Sequence, residues 1–163
     1  MLTARMKAAP CDGVLILGVA TGAETFRVEG GACNHVKTDS RDADGACHAG
    51  AVISDAGPGR ARSTGPTRTL VAAIARAGLP AAESEDAGDY LCNFVFYKAL
   101  TRPDGPVTAF LHLPPVGAAG GVGLDDLERG VKAAASALAQ SLAAGAPRRA
   151  GPETTKDAAC TRA

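Results

Sequence analysis

The chain has 163 residues, of which 46% are hydrophobic and 21% are charged, so it is long enough for one globular domain with a packed core. Its 17 basic and 17 acidic side chains cancel, which leaves no basic field for nucleic acid, and no apolar run approaches the roughly 20 residues of a membrane helix. We therefore expect no nucleic-acid or membrane partner and, because residues 1–10 lack an apolar signal core, a cytoplasmic location.

Hydrophobic patterning predicts strands that alternate with helices. A short apolar run at residues 14–19 is bounded by Asp12-Gly13 and a glycine-containing loop, which is typical of a buried parallel strand. Residues 20–55 are polar and glycine-rich and predict loops with one or two short strands, one of them around residues 32–36. Further along, the pattern predicts an exposed loop at 56–65, a helix at 66–77, strands at 79–84 and 107–113, an amphipathic helix at 124–144 and a disordered tail at 146–163.

The most apolar segment, residues 89–102, is predicted to be a helix. Ser84 or Asp86 can cap its start, Lys98 and Arg102 complement the helix dipole at its end, and Pro103 stops it. The aromatic run inside this segment also suits a strand, so the pattern leaves that alternative open. The alternation of strands and helices predicts the α/β class with a largely parallel sheet.

Cys92 and His112 form the candidate nucleophile and base. Cys92 falls near the first turn of the predicted helix, where free N–H groups and the helix dipole stabilise a thiolate, although a buried core cysteine is the alternative. The helix after Cys92 rises about 14 Å at roughly 1.5 Å per residue. The next strand returns about 20 Å at roughly 3.3 Å per residue, so His112 is predicted to come back beside Cys92 at the carboxyl edge of the sheet.

A third group should orient the imidazole of His112. The loop after the strand at 14–19 reaches the same edge and carries Glu24 and Glu29. Spacing alone leaves each of them open either as the partner of the histidine or as a solvated surface carboxylate.

The other cysteines and histidines do not predict a metal site. Cys33, His35, Cys47 and His48 are irregularly spaced and lack a Cys-x-x-Cys pair, so ordinary loop positions are favoured. The glycines likewise lack the Gly-x-Gly-x-x-Gly fingerprint of a dinucleotide site, so no cofactor is expected. An odd number of widely spaced cysteines without an export signal predicts free thiols.

Two segments around Cys92 and His112 carry distinctive motifs. Residues 84–97, SEDAGDYLCNFVFY, contain Ser-x-x-Ala-Gly-x-aromatic-x-Cys-Asn, and residues 110–114, FLHLP, contain Phe-x-His-x-Pro. Together they resemble pyroglutamyl-peptidase I, also called pyrrolidone-carboxylate peptidase, whose nucleophile and histidine lie in these two motifs. A weaker similarity at residues 17–34 aligns Glu29 with that family's orienting glutamate, and the resemblance covers residues 13–143.

The resemblance implies a three-layer α/β sandwich with a largely parallel or mixed central sheet, of the phosphorylase/hydrolase-like class. It implies a cysteine exopeptidase that needs no cofactor or metal and removes N-terminal pyroglutamyl residues from small peptides. Cys92 would attack the carbonyl, His112 would take the thiol proton, Glu29 would hold the ring, and backbone N–H groups around Cys92 would form the oxyanion hole. The implied substrate-binding residues are Asn34, Arg41 and Asn93.

The chain also departs from the family pattern. The family begins with a strand and a Gly-Phe-x-Pro-Phe loop, followed by a helix and a further strand, whereas residues 1–10 here lead directly into the strand at 14–19. Gly30 stands where the family has an arginine. We therefore expect one peptidase domain at residues 1–145 that is N-terminally truncated relative to the family. It is either an active exopeptidase, able to form a homo-oligomer, or a catalytically incompetent relative that acts as an interaction protein.

Overall fold

The computed structural model describes residues 11–117 and 122–145, and within them the chain forms six strands and three helices. The strands are β1 (Gly13–Val19), β2 (Phe26–Glu29), β3 (Gly31–Cys33), β4 (Arg60–Arg62), β5 (Ala81–Ser84) and β6 (Val107–Leu113). The helices are α1 (Thr67–Arg76), α2 (Leu91–Leu100) and α3 (Leu124–Ala143). Within the described ranges, none of these helices has both the length and the apolar character needed to cross a membrane.

A four-stranded sheet in the order β1-β6-β2-β5 forms the centre of the fold. β1 and β6 are parallel, β2 and β5 are parallel, and the two pairs join through antiparallel pairing of β6 with β2. β3 and β4 form a separate antiparallel pair. The prediction of an α/β fold with a largely parallel or mixed sheet is confirmed, and the sheet is mixed.

The alternation of side chains along β6 assigns the two faces of the sheet to different helices. Val107, Ala109 and Leu111 pack on one face with buried residues of α1 and α3. Phe110 packs on the other face against Phe96 of α2, with the two ring centroids 5.3 Å apart. Helices therefore cover both faces of the sheet, and His112, two residues after Phe110, is directed toward α2.

Helix ends follow the glycines and prolines of the sequence, except at the start of α2. Gly78 follows α1 with φ +78°, and Gly145 follows α3 with φ +64°, so both take the left-handed conformation that ends a helix. α2 begins at Leu91, and no side chain caps its start. Asp86 Oδ1 instead accepts a hydrogen bond from the backbone N–H of Gly88 at 2.9 Å. The prediction that Ser84 or Asp86 caps this helix is therefore wrong.

The predicted loop at residues 56–65 is wrong in part, because it contains β4. Ala61 at the centre of β4 is buried, since its strand pairs with β3 and faces α2. Glycine and arginine content suggested exposure, but pairing with a strand distant in sequence decides the burial of this segment. The predicted tail at 146–163 lies outside the described residues.

Candidate active site

Cys92 lies at the start of α2, as the second residue of the helix. It therefore lies among the free backbone N–H groups of the first turn, at the positive end of the helix dipole. The thiol is free and half-buried. It packs over Gly18 of β1, where a methyl group would lie only 2.9 Å from Cys92 Sγ. Glycine at this position lets the sulfur approach the sheet.

His112 lies next to Gly18 in the register between β1 and β6. Its side chain is directed toward α2, is only 3% exposed, and packs against Phe110 with ring centroids 4.7 Å apart. The Cys92 thiol lies close enough to the imidazole to raise its pKa. The start of α2 and the carboxyl end of β6 thus bring sulfur and imidazole together.

Glu29, the last residue of β2, is fully buried and contacts the far side of the imidazole. Glu29 Oε1 accepts a hydrogen bond from His112 Nδ1 at 2.7 Å. An ionised carboxylate can only accept, so Nδ1 carries a proton and Nε2 remains for the sulfur. Glu24, the other carboxylate that spacing left open, is exposed. Glu29 is therefore the carboxylate that pairs with His112.

The electrostatics of the site favour a protonated imidazole. Burial by itself lowers the pKa of His112, but hydrogen bonds to Cys92 and Glu29, together with their negative charges, outweigh it and raise the pKa from 6.5 to about 9. His112 therefore stays protonated through neutral pH. An imidazolium held between a sulfur and a carboxylate is the arrangement that stabilises a cysteine thiolate.

Asn93 and Asn34 hold backbone segments in place. Asn93 Oδ1 accepts from the N–H of Cys33 at 2.8 Å, and its Nδ2 donates to the carbonyls of Cys33 at 2.8 Å and His35 at 2.7 Å. Asn34 Nδ2 donates to the carbonyl of Ser54 at 2.8 Å, and its Oδ1 accepts from the N–H of Ser54 at 2.9 Å. Both amides are thus occupied in fixing the loops near α2.

Arg41 lies on an exposed surface turn. Its Nη1 donates to the carbonyl of Gly45 at 2.7 Å, and its backbone pairs with Cys47. Within the described part of the chain, Arg41 makes no hydrogen bond or ion pair with Cys92 or His112. The structure therefore brings Cys92, His112 and Glu29 together but does not bring Arg41 to them.

The described cysteines differ in state. Cys11, Cys47 and Cys92 are free thiols, as predicted. Cys33 is disulfide-bonded, so the prediction of free thiols is wrong for that residue. Among the described residues, no three potential ligands converge in a way that could hold a metal ion.

Sequence reasoning missed Arg27, which also borders the site. Arg27 pairs in register with His112 across β2 and β6, and its Nε lies 3.6 Å from Glu29 Oε1. A strand over residues 26–29 would have placed Arg27 and Glu29 on one face, because side chains two apart share a face. The glycines around that short strand concealed the signal.

The chain is similar in sequence to known peptidases. The sequence profile described as pyroglutamyl peptidase matches residues 2–140. The pyrrolidone-carboxylate peptidase of Clavibacter michiganensis subsp. michiganensis is 38% identical over 106 residues, covering 63% of this chain and 50% of that protein. The Streptococcus pyogenes pyrrolidone-carboxylate peptidase is 34% identical over 140 residues, covering 78% of this chain and 64% of that protein.

The fold is also similar to that of a solved pyroglutamyl peptidase. The crystal structure of pyroglutamyl peptidase I from Bacillus amyloliquefaciens aligns with a TM-score of 0.77 and 27% identity, covering 85% of this chain and 70% of that one. The alignments cover between one half and two thirds of the length of the two curated relatives. From the profile match and the shared fold, the chain belongs to the pyroglutamyl peptidase family.

Proposed function

We propose that this chain is a cysteine exopeptidase that removes N-terminal pyroglutamyl residues from small peptides, with Cys92 as nucleophile, His112 as acid and base, and Glu29 as the group that orients the imidazole. The observation that carries the proposal is the buried Glu29–His112 pair, 2.7 Å apart, next to the free thiol of Cys92 at a helix start. Family membership supports the substrate class. A cytoplasmic location and self-association stay predictions.

In the first half of the reaction, the thiolate of Cys92 adds to the pyroglutamyl carbonyl and forms a carbon–sulfur bond. The imidazolium of His112 then gives its proton to the peptide nitrogen as the carbon–nitrogen bond breaks. The shortened peptide leaves with a free amino group. A pyroglutamyl thioester remains on Cys92, and His112 is neutral.

The helix start supplies donors for the tetrahedral oxyanion. The N–H of Phe94 bonds the carbonyl of Tyr90 at 2.9 Å and closes the first turn of α2. The N–H groups of residues 91–93 precede that turn, so they have no acceptor within the helix. Those next to Cys92 are the candidates for the oxyanion hole, because the sulfur and the attacked carbonyl must lie beside them.

In the second half, neutral His112 accepts a proton from water while the water oxygen adds to the thioester carbonyl. The carbon–sulfur bond then breaks, which releases pyroglutamic acid and restores the thiolate of Cys92 beside a protonated His112. Glu29 accepts the hydrogen bond from Nδ1–H throughout and keeps Nε2 directed at the reacting atoms. All bonds and protons balance without a cofactor.

The direct test is release of a fluorophore from pyroglutamyl-aminocoumarin. We expect turnover by the native chain, its loss in Cys92→Ser, and its retention in the matched control Cys47→Ser, which removes a free and exposed thiol. In parallel, iodoacetamide should label Cys92 faster than Cys47 near neutral pH, and His112→Ala should slow that labelling.

Two outcomes count against the proposal. Equal labelling of Cys92 and Cys47 would exclude an activated thiolate. A folded protein with an activated Cys92 and no turnover would favour the second candidate function, a non-catalytic relative that acts as an interaction protein. The partial coverage of the two curated relatives is the observation that keeps this second candidate in view.

A further inference from the structure

The Glu29 carboxylate is fully buried, and a single hydrogen bond does not compensate the cost of that burial. Its Oε1 accepts from His112 Nδ1. Among the described residues, Glu29 Oε2 has no hydrogen-bond partner. A buried carboxylate is costly unless charges and donors compensate it. His112 compensates Glu29 only while the imidazole is protonated.

Arg27 is the second cation beside this carboxylate. It precedes Glu29 by two residues on β2, so both side chains lie on the same face of the sheet. Its Nε is 3.6 Å from Glu29 Oε1, and the side chain is 36% exposed. Arg27 Nε is buried and, within the described residues, also lacks a hydrogen-bond partner. Two unpartnered atoms of opposite charge thus lie on neighbouring side chains.

The proposed reaction requires a moment at which His112 is neutral and Glu29 remains ionised, after the proton has gone to the leaving amine. At that moment Glu29 loses the charge of the imidazolium, and among residues 11–117 and 122–145 Arg27 is the remaining cation within ion-pair distance. We propose that Arg27 is a positioning residue that keeps the buried Glu29 carboxylate ionised while His112 is neutral, and so sustains His112 as the base for thioester hydrolysis. This inference rests on the proposed function.

Four of the described residues face His112 from the neighbouring elements, and their charges set the direction in which its titration midpoint moves. These are Cys92 from α2 and Glu29 and Arg27 from β2, while β1 presents Gly18, which does not titrate. Without Arg27, the state with ionised Glu29 and neutral His112 has no compensating cation. Deprotonation of His112 beside the ionised Glu29 becomes less favourable, so His112 loses its proton at a higher pH.

The test compares Arg27→Met, Arg27→Lys and the matched control Arg68→Met in the full chain. Arg68 also lies near a carboxylate, with its Nε 3.8 Å from Glu83 Oε2, but on the surface. The readout is the NMR titration of the His112 ring, which has only two other histidine signals to be distinguished from, His35 and His48. We expect Arg27→Met to raise the midpoint by roughly half to one pH unit, Arg27→Lys to restore it, and Arg68→Met to leave it unchanged.

Kinetics give a second readout. At neutral pH, Arg27→Met should lower kcat by about threefold to tenfold, the change in neutral imidazole that corresponds to such a shift. It should lower kcat/KM less, because acylation starts from the protonated imidazole. A merely structural role for Arg27 would not separate the two parameters in this way.

Each result decides the inference. An unshifted His112 midpoint in a folded Arg27→Met variant would overturn it, as would an equal shift in Arg68→Met. If Arg27→Met does not fold, Arg27→Gln carries the test, since it also removes the charge: a raised His112 midpoint supports the ion-pair role and an unshifted midpoint refutes it. The titration requires no turnover, so an inactive chain with the expected shift would reject the proposed function but retain the electrostatic effect of Arg27 on the Glu29–His112 pair.

Discussion

Replacement of Glu29 by glutamine isolates the charge of the buried carboxylate. The glutamine side-chain oxygen can still accept a hydrogen bond from His112 Nδ1, so shape and hydrogen bond are largely conserved while the negative charge is removed. Because Glu29 is one of the two groups that raise the pKa of His112, we expect that pKa to move from about 9 down toward 6.5.

The lower His112 pKa in Glu29→Gln should change how the stability of the fold depends on pH. A histidine whose pKa is raised by folding stabilises the native state fully below pH 6.5 and loses that contribution as the pH rises through about 9. The interval between these values corresponds to at most about 3 kcal/mol, at about 1.4 kcal/mol per unit. Cys92 shares the effect, so the share of Glu29 is about 1 to 2 kcal/mol.

The assay is urea unfolding of the native chain and Glu29→Gln at several pH values between 6.5 and about 9. The free energy of unfolding of the native chain should fall relative to that of the variant as the pH rises, by about 1 to 2 kcal/mol over this window. Glu24→Gln is the matched control, because Glu24 is exposed, and it should run parallel to the native chain. Parallel curves for Glu29→Gln as well would refute the coupling between Glu29 and His112.

Three further predictions test the packing around the site. Asn93→Ala removes three hydrogen bonds to partly buried backbone and should destabilise the fold by about 2 to 4 kcal/mol in urea unfolding. A loss below about 1 kcal/mol would contradict this role. Gly18→Ala should slow alkylation of Cys92 severalfold because the new methyl group would meet its sulfur, whereas Gly22→Ala, with open space around it, should not. Tyr97→Phe loses a hydrogen bond of 2.6 Å to a loop carbonyl and should lower stability by about 1 kcal/mol without changing Cys92 alkylation, and an unchanged unfolding midpoint would argue against that bond.

Local patterns in the sequence predicted most of the helices and strands. The apolar runs of β1 and β6 and the glycines after α1 and α3 act over a few residues, so their signals could be identified directly. The short strands were harder, because β3 and β4 are stabilised by pairing across 30 or so residues rather than by their own composition. The start of α2 was misplaced because the nearest polar side chains cap a turn instead of the helix.

The sequence by itself determined the class of the fold, the family resemblance and the two candidate reactive side chains, because the motifs around Cys92 and His112 and the lengths of their elements are local properties. Only the tertiary structure decided which carboxylate meets the imidazole and which cation lies beside it. Glu29 and His112 are 83 positions apart, and their contact depends on the antiparallel register of β2 with β6. Register is set by the packing of whole strands, so a shift of one residue would turn Arg27 and Glu29 to the opposite face.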